Sequence, residues 1–400
     1  MLSTADFPSG TPLHHFFAWN ARAWFPDRRY RLMRRPETLP PPVARALMEA
    51  RGNPDEAAHA AVFAAFEAMQ PAQARQRILV IRLSAFGDFV QALGPFAAIR
   101  RHHAADQLVL LTTRPYAEFA KALGLFDEII VDERPTALAL GGWWELRRRL
   151  RRRRFDRVYD LQTSRRSGRY AALLRPSLPE WSGIAWRCSH PHANRERDAQ
   201  HTLDKQAEQL LMAGIYPTPL PLLPPVDRPV PPALAGRTIV LLVPGSSPLR
   251  PEKRWPAERF GAVAREVSGR GYVPVIVGSA SETPLATTIR EICSEAVDLT
   301  GQTDLTSLAV LARQAKLTIG NDTGVCHLAA AAGAPVVVLF SRASDPDRCA
   351  PRGRLVRVLR RPGLTALSEA RVIEEIAAIL GSTAALDGIT CNDEPRRERV

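Results

Sequence analysis

Four hundred residues are more than one ordinary hydrophobic core organises, and 46% hydrophobic with 24% charged side chains excludes a disordered chain. No apolar run approaches the roughly 18 residues of a bilayer span, and Asp6, His14, His15 and Arg22 interrupt any signal-peptide core, so a cytoplasmic chain is expected. The net charge of +13 is concentrated: residues 147–197 hold 15 arginines against four acidic side chains.

Along the chain, residues 1–75 are a weakly patterned leader with helical stretches such as EAAHAAVFAAFEAM (56–69). Its aromatics Phe16, Phe17, Trp19, Trp24 and Phe25, mixed with Arg22, Arg28 and Arg29, suit packing onto the main body or contact with a membrane interface. Regular alternation begins at RILVIRL (77–83), an apolar strand ending in SAFGD, followed by a helical segment and the strand QLVLLTT. FDEIIVDE and FDRVYDLQ continue the pattern, with RRRLRRRR (147–154) just before the latter. That run reads as a solvated helix face or as a surface for an anionic partner: phosphorylated lipid, bilayer headgroups or nucleic acid. No RNA-binding aromatic motif, helix-turn-helix or zinc finger accompanies it, so no nucleic acid is expected. Strands alternating with helices imply parallel βαβ units in a first α/β domain over 76–216.

Residues 217–232 hold eight prolines in sixteen positions, which reads as a linker over 217–235. The alternation then restarts over 236–380: TIVLLVPG, PAERFGAVAREVSGRG, YVPVIVGS, a helix near 282–294, LTIGND and a last helix, LSEARVIEEIAAIL (367–380). A polar tail, expected to be disordered, fills 381–400. Five scattered cysteines without CxxC spacing argue against a disulfide framework or a zinc site. Two doubly wound halves suggest a cleft where strand C-termini face one another.

Three stretches could carry chemistry there. In IGNDTGVCHLAAAAGAPVVVLF (319–340) a helix opens with Asp322, Thr323 and Gly324, and His327 sits one turn in. A helix N-terminus offers unpaired N–H groups to phosphate; plain capping explains one polar residue of the set but not the whole. VPGSSPLRPEKRWP (243–256) places Gly245, Ser246, Ser247, Arg250, Lys253 and Arg254 after a strand, which suits a diphosphate. SAFGD puts Asp88 at a strand-to-helix turn, where capping alone would account for it. DPD (345–347) could be a metal-binding DxD pair but reads as a turn.

Taken together, ILVIRLSAFGD, FDRVYDLQ, PGSSPLRPEKRWPAERF, VGSASE and DLTGQTDLTSLAVLARQAKLTIGNDTGVCHLAAAAGAPVV resemble glycosyltransferase family 9, the heptosyltransferases of lipopolysaccharide core synthesis, over roughly residues 76–380. The resemblance implies an α/β GT-B architecture, two Rossmann-like doubly wound domains facing a central cleft. It also implies inverting, metal-independent transfer, most often from ADP-heptose, with the nucleotide sugar as substrate and no cofactor. Asp88 matches the family's general base and Lys253 its diphosphate-binding lysine, both assigned as catalytic. Glu282 matches the acidic residue near the donor ribose; Asp322, Thr323, Gly324 and His327 match the donor-binding helix start. Ser84, Gly87, Ser246 and Ser247 complete the expected donor contacts. Arg114, Gln162, Arg165 and Arg166, in loops after first-half strands, are the expected contacts for an anionic glycolipid or glycan acceptor. Peripheral contact with the cytoplasmic face of the inner membrane is a further expectation. The sequence departs from the family pattern at Ala85, where a second serine is common, and at SRASDPD, where a Gly-Pro-Thr-Asp-Pro loop is common. A non-catalytic nucleotide-sugar or glycan-binding protein of the same fold is the alternative.

Overall fold

The computed structural model describes residues 41–50, 55–68, 75–247 and 249–387. The aromatic cluster around Trp19 and Trp24 falls outside them. Two leader helices are described, α1 (Pro41–Ala50) and α2 (Glu56–Ala68), the second where the sequence places one. The chain divides into two compact units at Pro221/Leu222, inside the proline-rich segment. Between Met212 and Ile239 the chain forms only one short 3-10 turn, Pro232–Leu234.

The first unit is a parallel six-stranded sheet. Its strands are β1 (Arg77–Ile81), β2 (Gln107–Thr112), β3 (Glu128–Val131), β4 (Arg157–Asp160), β5 (Glu180–Gly183) and β6 (His190–Pro191), in the order β3-β2-β1-β4-β5-β6. The helices between them are α3 (Phe86–Gln91), α4 (Leu93–His102), α5 (Arg114–Ala122), α6 (Leu140–Arg151) and α7 (Arg165–Leu174); α8 (Thr202–Met212) follows β6. Helices on the faces of a parallel sheet bury both sides of a central strand, which is why β1 reads as an unbroken apolar run with Ile78 to Ile81 all buried. Leu79, Ile81, Val109, Leu111, Val158 and Trp181 lie in the core beneath α6 and α7.

The second unit repeats the plan. Here β7 (Ile239–Val243), β8 (Val273–Ile276), β9 (Val297–Asp298), β10 (Leu317–Asn321), β11 (Val336–Phe340) and β12 (Val356–Arg360) are ordered β12-β11-β10-β7-β8-β9, all parallel. Helices α9 (Ala257–Gly269), α10 (Thr283–Ile292), α11 (Leu305–Gln314), α12 (Gly324–Ala331), α13 (Pro346–Cys349) and α14 (Glu369–Asp387) complete it. All five residues of β7, of β10 and of β11 are buried. The last helix does not stop at Leu380. It continues through Gly381 to Asp387, since STAAL supplies good helix formers after the glycine, so the expected tail is shortened to residues 388–400, outside the described ones.

Written from its own first strand, each sheet has the order 3-2-1-4-5-6. Strand order therefore reverses between β1 and β4 in one unit and between β7 and β10 in the other. In open α/β sheets the strand C-termini at such a reversal form the usual ligand site. The three stretches singled out in the sequence all fall there: SAFGD after β1, VPGSSPLRPEKRWP after β7, and NDTG after β10.

Candidate functional site

At the first reversal, α3 begins right after β1 with Ala85 as N-cap and Asp88 in its first turn. One Asp88 oxygen accepts the Ala85 N–H at 3.2 Å; the other lies 3.4 Å from the Arg82 guanidinium. The Asp88 side chain is 45% exposed, whereas Arg82 is 5% exposed, so a buried cation holds a carboxylate that still faces solvent. Arg82 also donates to the Leu161 carbonyl beyond β4. Burial lowers the Arg82 pKa, and Asp88 and Asp160 oppose that shift. Asp160, fully buried at the end of β4, has its carboxyl pushed up to about 6 by burial. Its Oδ1 receives the N–H groups of Gln162 and Thr163 at 3.1 and 3.0 Å. Lys205 of α8 is a second cation within electrostatic range of Asp88: burial and Arg197 lower its pKa, while Asp198 and Asp88 raise it.

The rest of this loop is braced. Gln162 accepts the N–H groups of Leu83 and Ser84 at 2.8 and 3.1 Å, and Arg134 donates to the Ser84 hydroxyl at 2.7 Å. Gly87 occupies the first turn of α3 beside Asp88.

The expected acceptor contacts divide on inspection. Gln162 shapes the Asp88 loop. Arg166 is spent internally, donating to Tyr170 at 2.9 Å, lying 3.6 Å from buried Asp132 and stacking over Trp143. Arg114 is exposed and paired with Glu133. Arg165 is exposed and makes no side-chain hydrogen bond or salt bridge among the described residues.

At the second reversal Lys253 closes a 3-10 turn, Pro251–Lys253, and donates to Asp322 at 2.6 Å. The pair is largely buried, at 16% and 8% side-chain exposure. Ser344, in the loop after β11, donates to the same Asp322 oxygen at 2.6 Å. Asn321, wholly buried at the end of β10, ties the two loops together: it donates to the Pro244 carbonyl at 2.7 Å and accepts the Trp255 N–H at 3.0 Å. Gly320 is required beneath it, since an added Cβ would come within 2.6 Å of Val243 and 2.8 Å of Cys326. Cys326 is packing, its thiol pushed up to about 12 chiefly by burial.

Helix α12 then opens at Thr323 with no side-chain cap; the Cys326 N–H turns back to the Thr323 carbonyl at 3.2 Å, and those of Gly324 and Val325 make no hydrogen bond among the described residues. His327 is buried one turn in. Ser246, also buried, accepts from Arg254 at 3.2 Å and donates to the Arg250 carbonyl at 3.2 Å, while Ser247 is exposed at the loop's tip. Glu282 seats its carboxylate against two glycines: a Cβ on Gly245 would fall 1.7 Å from its Oε1, and one on Gly278 would fall 2.6 Å from Oε2. The Ser279 N–H fixes it at 2.7 Å. That places a carboxylate at the ends of β7 and β8, beside the Lys253–Asp322 pair's own loop.

DPD turns out to open α13. Asp345 is its N-cap, accepting the Asp347 N–H at 3.3 Å, with Arg360 at 3.6 Å. Sequence reasoning missed Arg82, Arg134, Asn321 and Ser344. Arg82 and Asn321 were visible only as polar residues at the ends of apolar strands, and Ser344 as the hydroxyl in the loop that departs from the family pattern.

The model of glycosyltransferase family 9 (heptosyltransferase) matches residues 143–373, a range that includes Lys253, Glu282 and Asp322 and begins downstream of Asp88. Lipopolysaccharide heptosyltransferase 2 of Escherichia coli K12 is 27% identical over 289 residues, 61% of this chain and 81% of that one. The enzyme of the same name from Salmonella typhimurium is 30% identical over 166 residues, 36% and 47% of the two chains. Among solved structures, the glycosyl transferase family 9 protein of Veillonella parvula superposes with a TM-score of 0.67 at 21% identity, covering 77% of this chain and 97% of the other. The E. coli ADP-heptose lipopolysaccharide heptosyltransferase II superposes at 0.64 and 22%, covering 77% and 99%.

Proposed function

The chain belongs to glycosyltransferase family 9, and from that premise we propose that it transfers heptose from ADP-heptose to a hydroxyl of a lipopolysaccharide core, with inversion and without a metal. The observation that carries this reading is the second reversal point. An uncapped helix start, a lysine held by Asp322 and a carboxylate seated on two glycines form one anion- and ribose-compatible surface. Two relatives matched over most of their length are heptosyltransferases by name.

In the reaction the acceptor oxygen attacks the anomeric carbon, Asp88 takes the hydroxyl proton, and the bond from the anomeric carbon to the diphosphate oxygen breaks. Negative charge gathers on the departing ADP. Lys253 and the N–H groups at the start of α12 stabilise it, which is the role a divalent cation fills in other glycosyl transfer. Arg82, 3.4 Å away, and Lys205 set positive charge beside the Asp88 carboxylate.

The test is release of ADP from ADP-heptose with a heptose-deficient lipopolysaccharide acceptor, run in excess EDTA. Turnover that survives EDTA is expected. Loss of activity restored by magnesium or manganese overturns the metal-independent part. Heat of ADP-heptose binding with no ADP released identifies a binding protein instead.

A further inference from the structure

The arginine-rich run lies on the first unit, from α6 to just before the N-terminal end of β4, and the structure sorts its members. Arg149 donates to the Val131 carbonyl at 3.1 Å, Arg153 pairs with Glu128, and Arg148 closes on Glu145. Arg147 donates to the carbonyls of Leu173 and Arg175 at 2.9 and 3.1 Å, pinning α6 to the end of α7. Arg151, Arg152 and Arg154 remain. They are exposed and make no side-chain hydrogen bond or salt bridge among the described residues. Structural duty thus accounts for four of the seven, and three guanidinium groups face water beside one another around a surface hollow that Trp144 also lines.

The aromatic residues are sorted in the same way. Trp143 donates its indole N–H to the Thr136 carbonyl at 2.9 Å and packs under Arg166. Its neighbour Trp144 is 63% exposed, with Arg148 5.5 Å above its ring. Leu138 and Leu140, at the entry to α6, are 92% and 77% exposed. Trp186 is 72% exposed and carries Arg175 and Arg187 over its ring at 5.7 and 4.8 Å. Because Arg147 bonds to the Arg175 carbonyl, the two tryptophan–arginine clusters belong to one stretch of surface.

A charged face meant only for solubility has no use for exposed tryptophan and leucine. Indole rings prefer the headgroup level of a bilayer, and arginine is drawn to an anionic leaflet. A nucleic acid would engage the arginines but leave Leu138 and Leu140 in water. We propose that this surface docks the protein on an anionic phospholipid bilayer, with Trp144, Leu138 and Leu140 at headgroup depth and Arg151, Arg152 and Arg154 on lipid phosphates.

The proposal is independent of the donor chemistry and is tested without it. Full-length protein is sedimented with vesicles of phosphatidylcholine alone and with vesicles containing about a third phosphatidylglycerol, a composition that supplies a negative surface potential. Partitioning onto the anionic vesicles is expected, falling as salt rises. Changing Arg151→Gln, Arg152→Gln and Arg154→Gln together should lower it on the order of 100-fold, at about fivefold per arginine. Trp144→Ser should weaken the salt-resistant part of binding. The melting temperature and far-ultraviolet circular dichroism of the same variants should match the parent's and show that they are folded. Equal partitioning of the triple arginine variant and the parent overturns the proposal. So does equal binding to neutral and anionic vesicles, or displacement from vesicles by an equal mass of polyuridylate.

Discussion

The two reversal points occupy the same place in the same strand order, yet their helix starts are used in opposite ways. In α3 a carboxylate sits inside the first turn and takes up the N–H of the N-cap Ala85, so one of the four free donors at that helix start is answered by its own Asp88. In α12 the corresponding carboxylate, Asp322, precedes the N-cap and faces Lys253, and the terminus stays uncapped. A helix N-terminus favours negative charge in either case. Whether that charge belongs to the protein or to a ligand depends on a shift of a few residues. The first unit thereby turns its carboxylate back onto its own helix, and the second turns it onto a lysine.

The sharpest way to break this comparison is Asp88→Asn. Asparagine can still accept the Ala85 N–H but cannot take a proton, so kcat should fall about 10²- to 10⁴-fold with donor affinity nearly unchanged. Normal turnover in folded protein would reduce Asp88 to a cap. Next in size is Lys253→Ala, which strips the anion site of its cation and leaves the Asp322 carboxylate unneutralised. ADP affinity by calorimetry should drop on the order of 10- to 100-fold, with turnover falling as well. Donor affinity equal to the parent's would remove Lys253 from the donor site.

Gly245→Ala sharpens the picture within the second unit. The new methyl group would displace the flexible Glu282 carboxylate rather than backbone, so KM for the donor should rise several-fold, with a smaller change in kcat. An unchanged KM would remove Glu282 from the donor site.

The smallest effect concerns Asp160, buried within electrostatic range of Arg82. Its folded-state pKa of about 6 lies above the ordinary aspartate value, so the native state holds the proton longer than the unfolded chain does. Stability from this group is therefore highest below the ordinary pKa, declines as pH rises towards 6, and is level above. Asp160→Asn should flatten that part of the melting-temperature profile relative to the parent. Parallel profiles would show that burial does not perturb this carboxyl.

Much of this was legible in the sequence because long buried parallel strands announce themselves. RILVI, IVLLV and VVVLF are apolar on both faces, and the polar residues that break them mark the strand C-termini where sites form. Three of the four edge strands gave no such signal. β6 and β9 are two residues each, and β12, VRVLR, is largely exposed, so neither length nor a continuous apolar run marked them. The same limit applies inside the site. Asp88, Lys253 and Asp322 were singled out because their spacing is tied to a family pattern. Arg82 and Asn321 act through contacts 79 and 77 residues away in sequence, to Leu161 and Pro244, which no local pattern encodes. Arg166 shows the converse: its position after a strand suggested a substrate contact, and the contacts to Tyr170, Asp132 and Trp143 consumed it.

The strand order has a further consequence, for assembly. Neighbouring strands elsewhere in these sheets pair over short spans, as Thr318 with Val336 or Val109 with Glu128. The strands that border each reversal pair from far apart: Ile78 with Arg157 and Val240 with Leu317. Closing so long a loop carries the largest entropic cost in each sheet and slows the step that requires it. In each unit, then, the junction that brings the working loops together is the pairing with the longest wait between its two strands, and a ribosome releasing this protein makes β1 and β7 long before it makes the strands that give their loops a partner.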